Sequence, residues 1–345
     1  MAGASWDPTS AEAAYAAEHG IHCLSIPTPF AVGRVNLYLI DDEPLTLLDT
    51  GPNSGRALDE LEQALARLGR RIEDLELLLV SHQHMDHLGL VDILARRSGA
   101  QVAALAALAP WMARWSEQME ADDVFAEELM RMHGIPPETR LALRAVSHAY
   151  RGWGAAARVT RPLADGEPLE LKGRTLHVHH RPGHSPSDTV FHDRERRLLL
   201  GGDHLIAHIS SNPLVTRPLD APLDGSHVPR PRSLMIYLES LRATRAMDDV
   251  DIVLPGHGEA FGGHAALIDE RFRMHERRAR KICGMLAERP MTVFEVAQAM
   301  WGTVAVTQAY LTISEVLGHI DLLLEDERVR EEVDGAGVAR YRSGD

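Results

Sequence analysis

The sequence predicts an α/β protein with a helical insertion and a C-terminal winged-helix-like helical domain. Three observations predict it. Short apolar segments bounded by Pro, Gly and Asp recur in two blocks, 22–82 and 158–261, and are typical of strands. Between the blocks, residues of about 110–155 have helical character, which indicates an insertion. After residue 265 the pattern is mostly helical, so we divide the chain into domains 1–265 and 266–345.

The first block begins after a polar N-terminal arm. Three short strand candidates, the start of an antiparallel sheet, are HCLSIPTPF, RVNLYLID and PLTLLDTGP. A helix is predicted next, because leucines recur at helical spacing in NSGRALDELEQALARLG before a glycine. The run LELLLVSH is too short for a helix and reads as a buried strand, and LGLVDILARRSG after it is an amphipathic helix. The His-rich segment between them therefore lies on a strand-to-helix turn.

The insertion contains bulky apolar side chains among charged ones. Trp111, Met112, Trp115 and Met119 could form an apolar lid over a substrate, but such residues at helical spacing are more typical of a core. Strands return in the second block, whose candidates are ADGEPLELKGRTLHVHH, TVFHD, RRLLLGGDHL and DIVLPGHGEAF.

The C-terminal part begins with a long helix candidate, HAALIDERFRMHERRARKICGMLAE, which we interpret as a linker helix. Pro290 then marks the start of a module in which a short helix, TVFEVAQAMW, precedes a longer one, TQAYLTISEVLGHIDLLLEDE, and a strand candidate, VARYRS. Long helix, short helix, longer helix and β-ribbon is the order of a winged-helix module.

Composition excludes several classes of protein. The chain has 36 Lys and Arg against 50 Asp and Glu, a formal charge of −14, which disfavours nucleic acid as a partner. Its two cysteines, Cys23 and Cys283, lie far apart without a CxxC pair, so we expect small core residues and neither a disulfide framework nor a thiolate zinc site. No basic region precedes an apolar run, and no segment has the length of a membrane span, so we expect no membrane partner and a cytoplasmic location.

Four side chains of the metal-ligand type occur within six positions of SHQHMDHLG: His82, His84, Asp86 and His87. Imidazole and carboxylate are ligands that Zn²⁺ accepts. A loop that follows a rigid strand can direct alternate side chains to two neighbouring ions. The cluster therefore predicts a metal site at the end of this strand.

The segment resembles the HxHxDH signature of the metallo-β-lactamase superfamily. Four further motifs of that family are present. Asp49 in LLDTGP precedes this segment, and His184 in RPGHSPSD, Asp203 in LLLGGDH and His257 in VLPGHGEAF follow it in that order. The resemblance covers about two thirds of the chain. It implies an αββα sandwich, in which helices flank two packed mixed sheets.

The resemblance also implies a dinuclear centre with two Zn²⁺, for which Fe or Mn could substitute. One metal would be bound by His82, His84 and His184, and the other by Asp86, His87 and His257. Asp203 and a hydroxide would bridge the two metals, and Asp49 would orient a ligand from behind. Asp203 and Asp86 are the catalytic candidates, because Asp86 could orient the hydroxide or relay its proton to the leaving group.

Within the superfamily the chain resembles the glyoxalase II and thioesterase branch, because Asp203 stands where the commonest β-lactamases have a cysteine. We therefore expect hydrolysis of a thioester or ester of a small acyl conjugate, of acyl-CoA or acyl-glutathione type. Glutathione is not indicated by HLIAHISSNPLVTRPLD, which lacks the expected basic residues. The alternatives are a lactonase or β-lactam-type hydrolase, a nuclease and a DNA-binding regulator. Against the last two, residues 291–345 have four Arg and ten Asp and Glu.

Residues near the motifs are weaker candidates. His204, which follows Asp203, and Tyr237, on the helix candidate LMIYLESLRA with Ser240, could contact a small-molecule substrate. We interpret the strand histidines as structural, namely His177, His179 and His180. Several basic side chains could bind an anionic group of a substrate or pair with the abundant acidic side chains. They are Arg217, Arg230, Arg232 and the run RFRMHERRARK. The C-terminal module could also support a homodimer.

Overall fold

The structure, a computed structural model, describes residues 5–344. The first four residues of the predicted N-terminal arm, and residue 345 of the predicted C-terminal domain, lie outside it. Twelve strands of the described part form two six-stranded sheets, which confirms the predicted sandwich of two mixed sheets flanked by helices.

The first sheet has its strands in chain order. They are β1 (Ile21–Ile26), β2 (Val35–Ile40), β3 (Thr46–Leu48), β4 (Leu77–Leu79), β5 (Gln101–Leu105) and β6 (Arg161–Leu163). The pairs β1–β2 and β2–β3 are antiparallel, as the sequence predicts, and β3 to β6 are parallel. Strand β4 is buried on both faces, which explains its uninterrupted leucine run.

The second sheet runs in the order β12–β11–β10–β9–β8–β7. Its strands are β7 (Pro168–Glu170), β8 (Thr175–His180), β9 (Thr189–Asp193), β10 (Leu198–Gly202), β11 (Ile252–Pro255) and β12 (Phe261–Gly262). All neighbours are antiparallel except β10 and β11, which are parallel.

The helices in chain order are α1 (Ala11–Glu18), α2 (Gly55–Arg67), α3 (Met85–Leu88), α4 (Val91–Ser98), α5 (Ala109–Ala113), α6 (Trp115–Met132), α7 (Pro137–Tyr150), α8 (Ser233–Arg245), α9 (His264–Glu288), α10 (Val293–Trp301), α11 (Val304–Thr307) and α12 (Ala309–Glu325). Helices α2 and α4 cover the outer face of the first sheet, and α8 lies beside the second. No helix within residues 5–344 is long and apolar enough to cross a bilayer.

The alternation of side chains along the strands separates two apolar layers. Leu47 and Leu78 point outward and pack against Leu61 of α2, whereas Leu48 and Leu79 point into the space between the sheets. Facing them from the second sheet are Leu176, Val178, Phe191, Leu198, Leu200 and Leu254. This inner layer fixes how the edges of the two sheets meet.

The insertion comprises α5, α6 and α7. Its bulky residues Trp111, Met112, Trp115 and Met119 are buried in the apolar layer outside the first sheet. The core interpretation is therefore confirmed for these four side chains. Buried helices and lid-forming helices have the same apolar periodicity, so the sequence alone left both the core and the lid interpretation open.

The C-terminal region contains α9 to α12 and a hairpin of β13 (Val329–Val333) and β14 (Ala339–Ser343). The predicted helices are present in the predicted order, but the winged-helix assignment rests on that order and stays a prediction. One apolar cluster joins this region to Leu129 and Met130 at the end of α6 and to Ile135. Cys23 and Cys283 are free, and they pack partly buried against two different clusters.

Candidate metal centre

The predicted ligands lie where loops from both sheets meet at one edge of the sandwich. His82, His84, Asp86 and His87 follow β4, at the start of α3, so the first sheet contributes all four. His184 lies in the turn between β8 and β9, Asp203 directly follows β10, and His257 follows β11. The carboxyl ends of parallel strands β10 and β11 share an edge, which brings Asp203 and His257 together.

The side chains form two groups in which the possible ligand atoms lie within 4.8 Å of one another. One group is His82, His84, His184 and Asp203, and the other is Asp86, His87 and His257. In the first group His84 Nδ1 lies 3.0 Å from His82 Nε2 and 3.1 Å from His184 Nε2. In the second, His257 Nε2 lies 3.4 Å from Asp86 Oδ2.

Asp203 stands between the two groups. Its Oδ2 is 3.6 Å from His184 Nε2 and 3.4 Å from His257 Nε2, and its Oδ1 is 3.5 Å from His87 Nε2. A single carboxylate thus faces imidazoles of both groups. This is the geometry expected of a ligand shared by two neighbouring cations.

Buried atoms without hydrogen-bond partners test whether the residues fit metal ions. His87 Nε2, His257 Nε2 and Asp203 Oδ1 are buried and have no hydrogen-bond partner among residues 5–344. Burial of such atoms is costly unless they are paired or coordinate a cation. All three point toward the space between the groups, and imidazole with carboxylate suits Zn²⁺ and similar divalent ions. The residues present therefore fit a metal centre.

Electrostatics agree with a cation at this position. Burial, reinforced by the neighbouring His184, lowers the pKa of His84 to about 3, so its imidazole is neutral and able to coordinate. Burial would also lower the pKa of His257, but the carboxylates of Asp203 and Asp86 raise it to about 10. This half of the site thus stabilises a positive charge, which a bound metal ion would supply in place of a proton.

The outer nitrogen of three of the imidazoles, those of His87, His184 and His257, is held by the surrounding protein. His87 Nδ1 donates to Asp49 Oδ2 at 2.7 Å, and Asp49 in turn accepts hydrogen bonds from the amide and hydroxyl of Ser81. His184 Nδ1 donates to the carbonyl of Asn212 at 3.0 Å, and His257 Nδ1 to that of Arg34 at 2.7 Å. Such contacts fix the ring orientation and leave Nε2 as the coordinating atom.

His204 and Tyr237 are buried, and both have partners inside the protein. His204 Nε2 lies 2.8 Å from the hydroxyl of Thr244 on α8, and the Tyr237 hydroxyl donates to the carbonyl of His204 at 2.8 Å. Ser240 on the same helix donates to the carbonyl of Pro182 at 2.7 Å. This geometry does not support the prediction that His204 and Tyr237 contact a substrate.

The basic side chains after Asp203 are paired with acids. Arg230 makes a two-pronged ion pair with Asp321 at 2.6 and 2.7 Å, and Arg232 pairs with Glu325 at 2.6 Å. Arg217 pairs similarly with Asp122 at 2.9 Å. These pairs tie the loop to α6 and α12, and they confirm the pairing interpretation over an anion-binding one. In the basic run that begins at Arg271, the guanidinium of Arg271 itself donates hydrogen bonds to the carbonyls of Ile206, Ala207 and Ile209.

Other groups of ligand-type side chains have internal partners. His275 Nδ1 lies 3.1 Å from His319 Nε2, and Arg278 forms an ion pair with Glu315, so this buried group between α9 and α12 is a hydrogen-bonded network. A more exposed group, Glu120, Asp123 and His148, surrounds the guanidinium of Arg151. None of the strand histidines His177, His179 and His180 belongs to a metal-binding group among the described residues.

A set of buried polar residues behind the ligands was not predicted from the sequence. They are Asn36, Ser81, Gln83, Ser185, Ser187 and Asp188. The available signal was their position, because Gln83 lies between two ligand histidines and Ser185 to Asp188 follow His184 in one motif. The hydrogen bonds of Asn36, Ser81 and Gln83 join residues far apart in the chain, and no local pattern predicts them.

Comparison with known proteins agrees with this geometry. A family model described as the metallo-beta-lactamase superfamily matches residues 31–257. The probable metallo-hydrolase YqjP of Bacillus subtilis (strain 168) is 34% identical over 317 residues, which cover 91% of this chain and 95% of that protein. The acyl-coenzyme A thioesterase MBLAC2 of Gallus gallus is 30% identical over 158 residues, covering 42% of this chain and 51% of that protein.

Two solved structures resemble this chain over 94% of its length. A beta-lactamase domain protein from Burkholderia ambifaria is 27% identical with a TM-score of 0.78, and the match covers 94% of this chain and 92% of that one. A metallo-beta-lactamase family protein from Thermus thermophilus is 26% identical with a TM-score of 0.76, covering 94% and 98%. Both matches extend well beyond the segment that contains the ligands.

Proposed function

The chain belongs to the metallo-β-lactamase superfamily, and from its two groups of metal-ligand side chains we propose a dinuclear metal-dependent hydrolase that cleaves a thioester or ester of a small acyl conjugate, of acyl-CoA or acyl-glutathione type. The observation that carries the proposal is the Asp203 carboxylate, which faces imidazoles of both groups at 3.4 to 3.6 Å.

We assign the ligands by group. His82, His84 and His184 would hold the first ion, Asp86, His87 and His257 the second, and Asp203 both. Zinc is the ion we propose, with iron or manganese as the alternatives. Two such ions, when bound, supply Lewis acidity that lowers the pKa of a coordinated water toward about 7 and polarises the substrate carbonyl.

The protein's own part in the reaction is positioning and proton transfer. Asp49 and the carbonyls of Asn212 and Arg34 orient three of the imidazoles, so the ligand atoms converge before a substrate arrives. The Asp86 side chain is about 10% exposed and lies beside His257. Asp86 would accept the proton of the attacking water and deliver it to the leaving group. No Ser or Cys nucleophile is needed in this arrangement.

Two observations favour a thioester or ester over other substrates of the superfamily. The relative MBLAC2 of Gallus gallus is named an acyl-coenzyme A thioesterase, and the alignment with it covers about half of that protein. The acidic C-terminal region, with four Arg against ten Asp and Glu in residues 291–345, disfavours the nuclease alternative.

A substrate panel tests the proposal. Protein purified without added metal is first measured for its metal content, for which we expect two ions per chain. Zinc-loaded protein is then assayed on acyl-CoA, S-acyl-glutathione, simple ester, lactone, β-lactam, RNA and DNA substrates. We expect thioester or ester turnover that a chelator abolishes and zinc restores, with Asp203→Ala losing metal and nearly all turnover.

The other outcomes decide against the proposal. A two-metal protein that is inert on every thioester and ester would contradict it. Turnover confined to lactones or β-lactams would support the alternative hydrolase, and cleavage of RNA or DNA would support a nuclease. Full activity in Asp203→Ala would overturn the assignment of the site itself.

A further inference from the structure

Both ions of the proposed centre would be held between the two sheets. The first sheet supplies His82 and His84 to the first ion, and the second sheet supplies His184. The second ion similarly has Asp86 and His87 on one side and His257 on the other. The ligand geometry of each ion therefore depends on contacts that hold loops of different sheets in register.

The first such contact joins Gln83 and Ser187. Gln83 lies between His82 and His84, and its backbone N–H donates to Ser187 Oγ at 3.0 Å. The Ser187 hydroxyl donates in return to the side-chain carbonyl of Gln83. Gln83 is 7% exposed and Ser187 is fully buried, so water does not compete for these bonds. The turn that carries His184 is thereby fastened to the loop that carries His82 and His84.

The His184 turn is also braced from within. Asp188 accepts hydrogen bonds from the amide and the hydroxyl of Ser185, at 2.9 and 2.8 Å. Ser187 lies between these two residues and cannot move without disturbing the brace. The Gln83–Ser187 contact therefore acts on a rigid turn and transmits its position to His184.

The second contact joins Asn36, on β2, to the turn that carries His257. Its backbone N–H donates to the carbonyl of Gly256 at 2.7 Å. Its side-chain amide donates to the carbonyls of Pro255 at 3.1 Å and Gly258 at 2.8 Å. These acceptors flank His257 on both sides, and Asn36 is 1% exposed. Asn36 thus holds the His257 turn against the first sheet.

We propose that Gln83 with Ser187, and Asn36 separately, are positioning residues that each set the affinity of one ion. The first contact acts on His184 and the first ion, whereas the second acts on His257 and the second ion. The hydrogen bonds of the two contacts share no residue, so the two affinities can be weakened one at a time. This inference rests on the metal assignment proposed above and does not depend on the substrate.

Three substitutions remove hydrogen bonds with little change of side-chain size: Ser187→Ala, Gln83→Met and Asn36→Leu. Dissociation constants of both ions are measured by chelator competition with Co²⁺, whose absorption spectrum reports each ligand set. His84→Ala and His257→Ala show which constant belongs to which ion. We expect Ser187→Ala and Gln83→Met to weaken the first ion about 10- to 100-fold, and Asn36→Leu to weaken the second as much, because partners behind metal ligands act at this scale.

In each variant the dissociation constant of the other ion should change less than about threefold. A general loss of stability would not produce this difference between the two ions. Thr292→Ala is the matched control, because it removes the hydroxyl that caps α10, far from both contacts. It should lower the unfolding temperature and leave both dissociation constants unchanged. The double variant, Gln83→Met with Ser187→Ala, should bind the first ion no more weakly than Ser187→Ala alone, because the two residues act as one unit.

The outcomes separate this inference from the proposed function. Two ions bound in the unaltered protein, with both constants unchanged in all three variants, would overturn the inference alone. Equal weakening of both ions by each variant would also overturn it, since the contacts would then be general supports of the fold. Fewer than two ions in the unaltered protein would overturn the metal assignment and the inference with it.

Discussion

The two neighbours Asp203 and His204 show how much a single position decides. Asp203 faces the metal ligands, while the ring of His204 points the other way and lies 2.8 Å from the hydroxyl of Thr244. Both residues lie in the turn that follows β10, where the backbone directs the two side chains to different partners. Adjacency in the sequence made a substrate contact of His204 a reasonable hypothesis, which the direction of its ring does not support.

His204→Ala should behave as a core variant. We expect the free energy of unfolding to fall by about 1 to 3 kcal/mol, because a buried ring and its hydrogen bond are lost. Metal content should be unchanged, and KM for an active substrate should stay within about threefold. Urea unfolding and steady-state kinetics check both points, with Thr244→Val as the matched variant of the partner. A KM at least tenfold higher at normal stability would show instead that His204 contacts substrate.

The turn after β11 shows what an element must provide for the site. Gly256 precedes His257, and a Cβ atom at this position would lie 2.2 Å from Asp203 Oδ1 and 2.9 Å from His87 Cε1. Both side chains are buried among the proposed ligands, so neither can give way cheaply. A glycine here permits the backbone of β11 to approach the shared carboxylate closely.

Gly256→Ala should therefore displace Asp203. We expect metal affinity to fall at least tenfold and turnover to fall with it, as measured by chelator competition and by assay. Gly284→Ala is the control, because Gly284 lies within α9 and has no heavy atom within 4 Å of an added Cβ. That change should stabilise the protein by about 0.5 to 1 kcal/mol. Normal metal affinity in Gly256→Ala would mean that the turn can relax around the new methyl group.

At the scale of secondary-structure elements, the sequence predicted the features that depend on neighbouring residues. It did not predict the contacts between residues far apart in the chain. Strands and helices follow from periodicity, and the ligands were found because each lies in a short motif beside a strand end. Gln83 and Ser187 are 104 positions apart, and Asn36 bonds to a carbonyl 219 positions away, so no local pattern encodes these contacts. The insertion was ambiguous for a different reason, since buried and lid-forming helices share the same apolar stripe.

Across the whole molecule, buried histidines link stability to pH. Burial, with a small effect of Arg230, lowers the pKa of His133 to about 3, and burial with the nearby His319 lowers that of His275 to about 3. In the unfolded chain a histidine titrates near 6.5. Between these values the unfolded state binds more protons, so stability rises with pH up to about 6.5 and is lost as the pH falls toward 3.

His133→Leu should reduce this dependence. In the unaltered protein each such histidine contributes a slope of up to about 1.4 kcal/mol per pH unit between pH 6 and 4. The variant should lose the contribution of His133, so that its free energy of unfolding falls less steeply on acidification. Denaturant titrations at several pH values measure both slopes. Parallel curves for the two proteins would show that His133 titrates at the same pH in the folded and unfolded states and is therefore solvated in the fold.

The two domains predicted from the sequence share an apolar cluster, which affects how the molecule unfolds. A single apolar cluster contains Leu129, Met130 and Ile135 of the insertion together with residues of α9, α10, α12 and the C-terminal hairpin. Separation of the C-terminal region would expose this cluster to water, at a cost of roughly 25 cal/mol for each Å² of apolar surface. Neither part can therefore be expected to unfold while the other stays intact.

We accordingly expect one cooperative transition for the metal-saturated protein. Scanning calorimetry should give a single heat-capacity peak. A chain that ends at residue 288 should not yield soluble folded protein, because the three insertion residues lose their covering. Thr292→Ala, which removes a helix cap in the C-terminal region, should shift the whole transition to lower temperature and leave it single. Two transitions, of which only one moves in this variant, would instead show that the predicted domains fold independently and that the shared cluster contributes little.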